Sequence, residues 1–259
     1  LNPFLMRASD PFADWVELWN SRGYAAISMD NCGGIPCWNE GAYGRSPWPR
    51  HKHSGPTGWG DFEHVNEPIK NQWPYQATAS VIAAHSLLRS LPEVDGSRIG
   101  ITGVSWGGVL TCIAAGVDNR YAFAAPVYGA GFLNTDVFTE LTSISKADCA
   151  KWLELWDPSL YLPSAKMPFF WIVGSNDFAF NLPSLVKSAA LVQKSDFCIP
   201  VRMGHGHGGV SEKPPEILDF ANRALGFGES TENPQLSEIK VAGSSAEISF
   251  KAGWKASKA

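Results

Sequence analysis

Residues 98–108 have the sequence Arg98-Ile99-Gly100-Ile101-Thr102-Gly103-Val104-Ser105-Trp106-Gly107-Gly108. An apolar, β-branched run leads into Gly-x-Ser-x-Gly, and an apolar helical pattern follows it. This succession of strand, tight turn and helix is the context of a nucleophile elbow, which projects a serine hydroxyl from the carboxyl end of a strand. Side chains at Gly103 or Gly107 would collide with the neighbouring backbone of such a turn. We therefore predict that Ser105 is a catalytic nucleophile; the alternative is a small-residue turn with a capping serine.

The composition is that of one large α/β domain with a full core. The chain has 259 residues, of which 44% are apolar, and a formal net charge of -4. No apolar run approaches the ~20 residues that a membrane span needs. Positive and negative side chains are interspersed, and the sequence has no cluster of basic residues of the kind that binds nucleic acid. The predicted partners therefore include neither nucleic acid nor a membrane span.

Apolar runs and helical patterns alternate along the chain, which predicts parallel strands joined by crossover helices. Periodicity is lost between 31 and 73, and a loop of that length in a compact domain is usually functional. Strands are predicted at 24–29, 98–102, 123–128, 168–173 and 197–203, and helices at 14–21, 76–91, 147–156, 185–192 and 215–225.

The character of the chain changes after Gly228. We predict a catalytic α/β domain over 1–228 and a linker over 229–236. Residues 237–250 then alternate between apolar and polar around a Gly-Ser-Ser turn, as in a β-hairpin. Residues 237–259 are thus expected to begin a β-rich C-terminal domain that is truncated.

A serine hydroxyl becomes a nucleophile only when a base removes its proton, and a carboxylate usually orients that base. Asp177 follows the apolar run 168–173 by a few residues, so its carboxylate can face the same sheet edge as Ser105. We predict Asp177 as the acid; the alternative is a turn aspartate that caps its own backbone. Weaker candidates, none of them just past a buried strand, are Asp136, Asp157 and Asp196.

The candidate base lies in Gly204-His205-Gly206-His207-Gly208, directly after the last predicted strand. We favour His207, because the loop can curl back over Ser105 from there, and His205 is the alternative base. A metal site at these histidines is disfavoured, because no Cys or acidic ligand has a suitable spacing nearby. No metal or organic cofactor is implied.

A developing oxyanion needs two preorganised donors. The backbone N–H of Trp106, directly after the nucleophile, is the predicted first donor. The second donor normally belongs to a glycine-rich loop after an earlier strand, and no such loop precedes Asp14. The second oxyanion donor therefore stays unassigned.

With these residues in place, the chain resembles the α/β-hydrolase superfamily. The similarity is to acetyl xylan esterase-like and dienelactone-hydrolase-like serine esterases, which border on the prolyl oligopeptidase family. It covers roughly 11–226. The segments that carry it, besides the elbow, are 22–27 (Arg-Gly-Tyr-Ala-Ala-Ile), 86–95 (Ser-Leu-Leu-Arg-Ser-Leu-Pro-Glu-Val-Asp), 176–178 (Asn-Asp-Phe) and 205–207 (His-Gly-His).

The resemblance implies a three-layer α/β-hydrolase fold with a mostly parallel central sheet. It also implies Ser105 as nucleophile, Asp177 as acid and a histidine of the 205–207 pair as base. Family members carry a glycine-rich oxyanion loop just before the helix at Asp14, and residues 1–10 do not match it. We therefore expect a domain that lacks its first strands and is truncated at the N-terminus. Relatives often carry a signal peptide, which suggests a secreted or periplasmic bacterial protein.

The expected activity is that of a serine ester hydrolase. It would remove acetyl or other small acyl groups, from a small ester or an acetylated polysaccharide, through an acyl-enzyme. Trp38, Trp48 and Trp59 lie in the aromatic-rich segment 31–73 and are candidates for contact with sugar rings. The alternative is that these aromatic residues pack as a local core. Rival functions are a prolyl oligopeptidase-like peptidase and a non-catalytic glycan-binding domain.

The five cysteines form no regular framework. Cys112 and Cys198 lie in apolar segments and are expected to be buried free thiols. Cys32 and Cys37 flank a short turn and are a possible pair. The redox compartment is therefore left open.

Overall fold

The computed structural model describes residues 2–4, 13–31, 51–56, 62–133, 143–198, 216–227, 235–236, 240–243, 245–247 and 249–251. The chain forms two compact units, Leu1–Leu225 and Gly226–Ala259.

A parallel sheet forms the centre of the first unit. Its strands are β3 (Gly100–Val104), β4 (Phe123–Val127), β5 (Phe169–Ile172) and β6 (Ser195–Cys198), in the order β3-β4-β5-β6. Every neighbouring pair in this order is parallel. The side chains of β4 and β5 are buried on both faces, as expected for parallel strands that helices cover from both sides. The predicted α/β architecture with a parallel central sheet is thereby confirmed.

Two short strands extend the arrangement on the β3 side. β1 (Asn2–Phe4) pairs in parallel with β2 (Ser28–Asp30), with Asn2 opposite Ser28 and Phe4 opposite Asp30. The backbone of β1 also lies within 8 Å of β3 and of the helix that follows β3 in the chain. β1 therefore lies between β2 and β3. No strand was predicted in residues 1–10, because a three-residue strand is too short to show a period of two.

Six helices connect and cover the strands. They are α1 (Ala13–Asn20), α2 (Trp73–Ser90), α3 (Trp106–Val117), α4 (Lys146–Trp156), α5 (Leu182–Ala189) and α6 (Glu216–Ala224) within the described residues. α4 begins at a cap in which Ser145 Oγ accepts from the backbone N–H of Asp148 at 3.1 Å. Asn181 caps α5 in the same way, through Ser184 N at 2.9 Å. α3 is buried over nearly its whole length, so it is a core helix.

Short 3₁₀ turns fill the intervals between these elements. They cover Phe62–Asn66, Ile69–Asn71, Pro158–Leu160 and Leu162–Ser164. The first two fall in the segment 31–73, where the sequence shows no periodicity. α2 begins three residues before the predicted position, with a proline in its first turn.

Several strand ends differ from the prediction. β2 starts at Ser28 rather than at 24, and β3 runs on to Val104. β6 occupies Ser195–Cys198, and the rest of the predicted strand 197–203 lies outside the described residues. The differences arise because a strand ends where its ladder partner ends, which apolar patterning does not encode.

Both Cys112 and Cys149 are buried free thiols, which confirms the expectation for Cys112.

The second unit contains two antiparallel pairs. β8 (Lys240–Ala242) pairs with β9 (Ser245–Glu247), and β7 (Gln235–Leu236) pairs with β10 (Phe250–Lys251). Gly243, in the turn between β8 and β9, has a φ of 62°, which only glycine adopts without strain. The hairpin lies where the alternating pattern predicts it, and β7 lies inside the predicted linker 229–236. The division of the chain into domains at 228 stays a prediction.

Candidate functional site

Ser105 stands in the strained turn between β3 and α3. Its φ of 59° and ψ of -118° are rare for a residue with a side chain and cost of order 1–3 kcal/mol. The turn is fixed on both sides, because Ser105 N donates to Val127 O at 2.8 Å and Ser105 O accepts from Val109 N at 3.0 Å. The serine is half-buried, at the carboxyl end of a central strand. The local geometry is therefore that of a nucleophile elbow.

Two glycines make the turn possible. A Cβ atom on Gly103 would lie 2.3 Å from the carbonyl oxygen of Gly107, as the elbow motif predicts. A Cβ atom on Gly108 would lie 2.7 Å from Val127 O and 2.9 Å from Gly129 Cα. The need for glycine at Gly108 was missed, because it arises from the loop after β4 and not from the elbow itself.

Trp106 is the first residue of α3. Backbone N–H groups in the first turn point out of the amino end of a helix, where the helix dipole favours negative charge. The indole of Trp106 is 3% exposed and packs against three other aromatic rings. Their centroids are 5.8 Å (Phe62), 5.8 Å (Trp73) and 6.0 Å (Trp152) away. This packing fixes the residue whose N–H is the predicted oxyanion donor.

Asp177 lies in the turn after β5 and is buried. Its Oδ1 accepts from the backbone N–H groups of Ala179 at 2.7 Å and Phe180 at 2.8 Å, which orients the carboxylate. Sheet register pairs Val104 with Val127, and Val127 with Ile172, so β3 and β5 end at the same edge. Neighbouring strands lie ~4.8 Å apart, so these two strand ends are separated by roughly 10 Å. Ser105 and Asp177 thus follow two strands that end at one edge, with β4 between them.

The remaining predicted site residues fall outside the described part of the chain. These are His205, His207, Trp38, Trp48 and Trp59, together with the possible pair Cys32 and Cys37. The identity of the base and the sugar-contact hypothesis therefore stay predictions. Of the rival acids, Asp136 and the side chain of Asp196 also lie outside the described part.

Two aromatic residues of the segment 31–73 are core residues. Phe62 is 4% exposed and Trp73 is 1% exposed. Trp73 Nε1 donates to Asn31 O at 2.9 Å, and Phe62 packs edge-on against Trp152 at 5.1 Å between centroids. Neither side chain was among the candidates for sugar contact, and both belong to the core of the first unit.

Asp157 is buried and engages backbone rather than a histidine. Its Oδ1 accepts from Phe132 N at 2.9 Å and Ser159 N at 2.7 Å, and its Oδ2 accepts from Leu133 N at 2.7 Å. From the sequence, Asp157 was only a rival acid. Two of its structural partners come from the loop after β4, which no local pattern reveals.

A histidine–carboxylate pair lies at the end of α3 opposite to Ser105. His85 of α2 is fully buried, and its Nδ1 is 3.1 Å from Oδ2 of Asp118. Burial lowers the pKa of His85, and Asp118 offsets this only in part. Because Asp118 caps the carboxyl end of α3, the pair lies roughly 20 Å along the helix from Ser105. His85 therefore cannot serve as the base of Ser105.

The part of the chain that the structure describes holds neither a metal cluster nor a membrane helix. It contains no group of three or more His, Cys, Asp or Glu side chains arranged to hold a metal ion. No helix in it has the length and apolarity to cross a bilayer. His51 and His53 are exposed neighbours with ring centroids 5.4 Å apart.

Comparison with known proteins gives the same fold. A model of the prolyl oligopeptidase family matches residues 58–228. The chain superposes on the acetyl xylan esterase from Paenibacillus sp. R4 with a TM-score of 0.65 and 19% identity, covering 86% of this chain and 73% of that one. Acetyl xylan esterase 1 from Thermoanaerobacterium sp. JW/SL YS485 gives a TM-score of 0.61 and 16% identity, covering 86% and 74%.

A peptidase structure is also similar, over a shorter span. The acylaminoacyl peptidase from Pyrococcus horikoshii superposes with a TM-score of 0.51 and 18% identity, covering 68% of this chain and 32% of that one. No curated protein sequence matches the chain significantly. At these identities the structural likenesses establish the fold alone.

Proposed function

This chain belongs to the prolyl oligopeptidase family of serine hydrolases, and from that premise we propose that it hydrolyses carboxylic esters. The observation that carries the proposal is the elbow, which holds Ser105 at a φ of 59° at the carboxyl end of a central strand. The strain costs stability and serves no packing purpose that a glycine would not serve better, which favours a chemical role for the hydroxyl. The acyl group proposed is acetyl or another small acyl group.

The proposed mechanism uses a Ser-His-Asp triad. The hydroxyl of Ser105 gives its proton to an imidazole, which we assign to His207 with His205 as the alternative. The serine oxygen bonds to the ester carbonyl carbon, and the imidazolium then protonates the leaving alcohol as the C–O bond breaks. Water attacks the acyl-enzyme by the same proton route and releases the acid. Asp177 would orient the imidazole, since two backbone N–H groups already fix its carboxylate.

The oxyanion of the tetrahedral intermediate would be stabilised at the amino end of α3. We assign the first donor to the backbone N–H of Trp106, which the aromatic packing of its indole supports. We propose that the second donor is a backbone N–H of the chain that leaves the carboxyl end of β1, the strand beside β3. An earlier strand next to the nucleophile strand is where such a donor normally originates.

Labelling with a fluorophosphonate probe and hydrolysis of p-nitrophenyl acetate test the proposal. We expect a covalent adduct on Ser105, and Ser105→Ala should lose activity by roughly 10⁵- to 10⁶-fold while remaining folded. Asp177→Asn should lose roughly 10³- to 10⁴-fold. Ser90→Ala, at an exposed position of α2, is the matched control and should retain full activity. An unlabelled Ser105 in the wild-type protein would contradict the proposal.

The base is decided by a pair of variants in one loop. His207→Ala should abolish acylation of Ser105, whereas His205→Ala should retain most of it. The reverse pattern would transfer the role to His205. Wild-type activity in both variants would show that neither histidine of this loop is the base.

An acetylated polysaccharide is the proposed physiological ester. The likeness in fold to two acetyl xylan esterases supports an acetylated sugar substrate. Trp38, Trp48 and Trp59 are the proposed sugar contacts, because indole rings stack on sugar rings. Each Trp→Ala variant should bind xylo-oligosaccharides more weakly in titration calorimetry. Unchanged affinity in all three variants would discard this part of the proposal.

Peptidase activity is the second candidate, favoured by the family match and by the likeness in fold to an acylaminoacyl peptidase. The order Ser, Asp, His is the same for esterases and peptidases of this fold, so the residues do not separate them. Parallel assays on p-nitrophenyl acetate and a proline-based amide separate the two activities. Cleavage of the amide alone would replace the ester proposal. A folded protein that cleaves neither but binds glycan would instead be a non-catalytic domain.

A further inference from the structure

The loop after β4, residues 128–133, is held in an uncommon backbone conformation. Tyr128 has a φ of 52° and Phe132 a φ of 56°, and neither is a glycine. Within the described residues, the only other non-glycine with a positive φ is Ser105. Such conformations persist where the surrounding structure enforces them, and they concentrate at functional sites.

The first half of this loop is fixed against the elbow. Ser105 N donates to Val127 O at 2.8 Å, and Tyr128 N donates to Ile172 O at 2.9 Å. Gly129 packs on the first turn of α3 so closely that a Cβ atom there would lie 2.3 Å from the carbonyl carbon of Gly108. Any shift of the loop at this point would move the elbow.

The second half is fixed by side chains that accept its backbone N–H groups. Asp157 accepts from Phe132 N at 2.9 Å and from Leu133 N at 2.7 Å, one bond to each carboxylate oxygen. Ser188 of α5 accepts from Gly131 N at 2.8 Å through its Oγ. Hydrogen bonds to a carboxylate are about twice as strong as those between neutral groups, so Asp157 is the main anchor.

Strand order places this loop beside the proposed reaction. β4 lies between β3, which carries Ser105, and β5, which leads to Asp177. In the proposed mechanism the imidazole that Asp177 orients protonates the leaving alcohol, so the alcohol lies on the Asp177 side of Ser105. The loop after β4 flanks that side. Phe132 is half-buried, whereas the other residues of loop 128–133 are buried. Lys187 Nζ lies 5.9 Å from the centroid of the Phe132 ring.

We infer that loop 128–133 contacts the alcohol part of the ester, and that Asp157 is the positioning residue that sets this loop. This inference rests on the proposed ester hydrolysis and adds to it a determinant of substrate choice. Asp157 does not touch substrate; it acts through the backbone of Phe132 and Leu133. Loss of the anchor should therefore weaken discrimination between alcohols more than it weakens activation of Ser105.

The test compares two acetate esters that differ only in the alcohol, ethyl acetate and an acetylated xylobiose. In Asp157→Asn, the ratio of kcat/KM for the xylobiose ester to that for ethyl acetate should fall about tenfold, mostly through KM. Hydrogen exchange at the amides of Phe132 and Leu133 should accelerate in the same variant. Ser188→Ala removes the bond from Gly131 N, together with the bond that Ser188 Oγ donates to Ser184 O within α5 at 2.7 Å. It should lower the ratio in the same direction by about threefold.

Asp118→Asn is the matched control. Asp118 is also a buried carboxylate at a helix end and also accepts a backbone N–H, from Arg120 at 3.0 Å, but it lies at the other end of α3. This variant should be less stable and keep the wild-type ratio.

The outcomes separate this inference from the proposed function. An unchanged ratio in folded Asp157→Asn and in Ser188→Ala, with wild-type esterase activity intact, would overturn the inference alone. An equal loss on both esters, or the same fall of the ratio in Asp118→Asn, would also overturn it, since either pattern marks a general structural role. A wild-type protein that hydrolyses neither ester and leaves Ser105 unlabelled would overturn the proposed function with it. If Asp157→Asn does not fold, Ser188→Ala decides.

Discussion

Gly108 illustrates how single residues set the elbow. The residue contributes no side chain, yet two backbone segments approach it closely. A Cβ atom added at Gly108 would lie 2.7 Å from Val127 O and 2.9 Å from Gly129 Cα. Because both obstacles are backbone atoms of a central strand and its loop, they cannot move aside as a flexible side chain would. The close approach holds the first turn of α3 against β4.

Gly108→Ala should destabilise the protein by about 1–3 kcal/mol and lower the rate of phosphonate labelling, because the elbow must shift to admit the methyl group. Gly96→Ala is the matched control. A Cβ atom there would meet only the Arg89 side chain, at an ordinary 3.5 Å, so its stability should stay within about 0.5 kcal/mol of the wild type. Urea denaturation of both variants measures the difference. Equal stability of the two would contradict the proposed backbone clash.

At the scale of elements, an aromatic cluster joins the elbow helix to the long loop and to α4. It consists of Phe62, Trp73, Trp106 and Trp152, all at most 4% exposed. Gln72 ties the same region together, since its Oε1 accepts from Trp156 Nε1 at 2.7 Å and its Nε2 donates to Glu67 O at 2.9 Å. The cluster thus anchors part of an otherwise aperiodic segment on the helix that carries Trp106.

Phe62→Ala should cost about 3–5 kcal/mol of unfolding free energy, because it empties a buried site between two indoles. Tyr75→Ala removes an aromatic ring that is 45% exposed in the neighbouring helix and should cost less than about 1 kcal/mol. Midpoints of urea unfolding at constant m-value provide the comparison. A small effect of Phe62→Ala would mean that the segment is not anchored by this ring.

Across the whole molecule, the two ends of the sheet carry different groups of polar residues. Ser105 and Asp177 lie at the carboxyl edge, whereas the buried side chains of His85 and Asp118 form a cluster with the exposed Arg120 at the other end of α3. Burial alone would raise the pKa of Asp118, but hydrogen bonds from Arg120 and His85 outweigh burial and lower this pKa to about 2. The His85 ring also stacks on Tyr121, with centroids 4.2 Å apart. This cluster joins α2, α3 and the chain entering β4.

The cluster predicts loss of stability in acid. The pKa of His85 is lower in the folded protein than its unfolded value of about 6.5, so below that pH the unfolded chain takes up a proton that the folded chain refuses. Stability should fall as pH drops from 7 to 5, by at most about 1.4 kcal/mol per pH unit from this group. Asp118 adds a second loss as pH falls from its unfolded value of about 3.9 towards 2.

Thermal or urea unfolding at a series of pH values measures this dependence. His85→Gln should flatten the slope between pH 7 and 5, since the amide does not titrate. Ser90→Ala, an exposed position of α2 without a titratable side chain, should leave the slope as in the wild type. Identical slopes in wild type and His85→Gln would exclude His85 as the source.

Local sequence determined those features that depend on short-range geometry. Gly-x-Ser-x-Gly after a β-branched run allows few conformations besides a tight strand–helix turn, and the structure has that turn at Ser105. Alternation of apolar runs with helical patterns identified every strand of the four-stranded sheet. The position of Asp177 followed from the same pattern, because loops after parallel strands meet at one edge. The fold class and the edge that carries Ser105 were therefore predictable.

The tertiary structure alone decided what depends on residues distant in the chain. β1 is too short to be recognised and becomes a strand only through β2 and β3. Asp157 resembles any aspartate after a helix until the loop of Phe132 and Leu133 is folded against it. Gly108 needs to be glycine because β4 passes beside it. In each case the determining interaction is a contact between separate segments, whose energy exists only once the chain has folded.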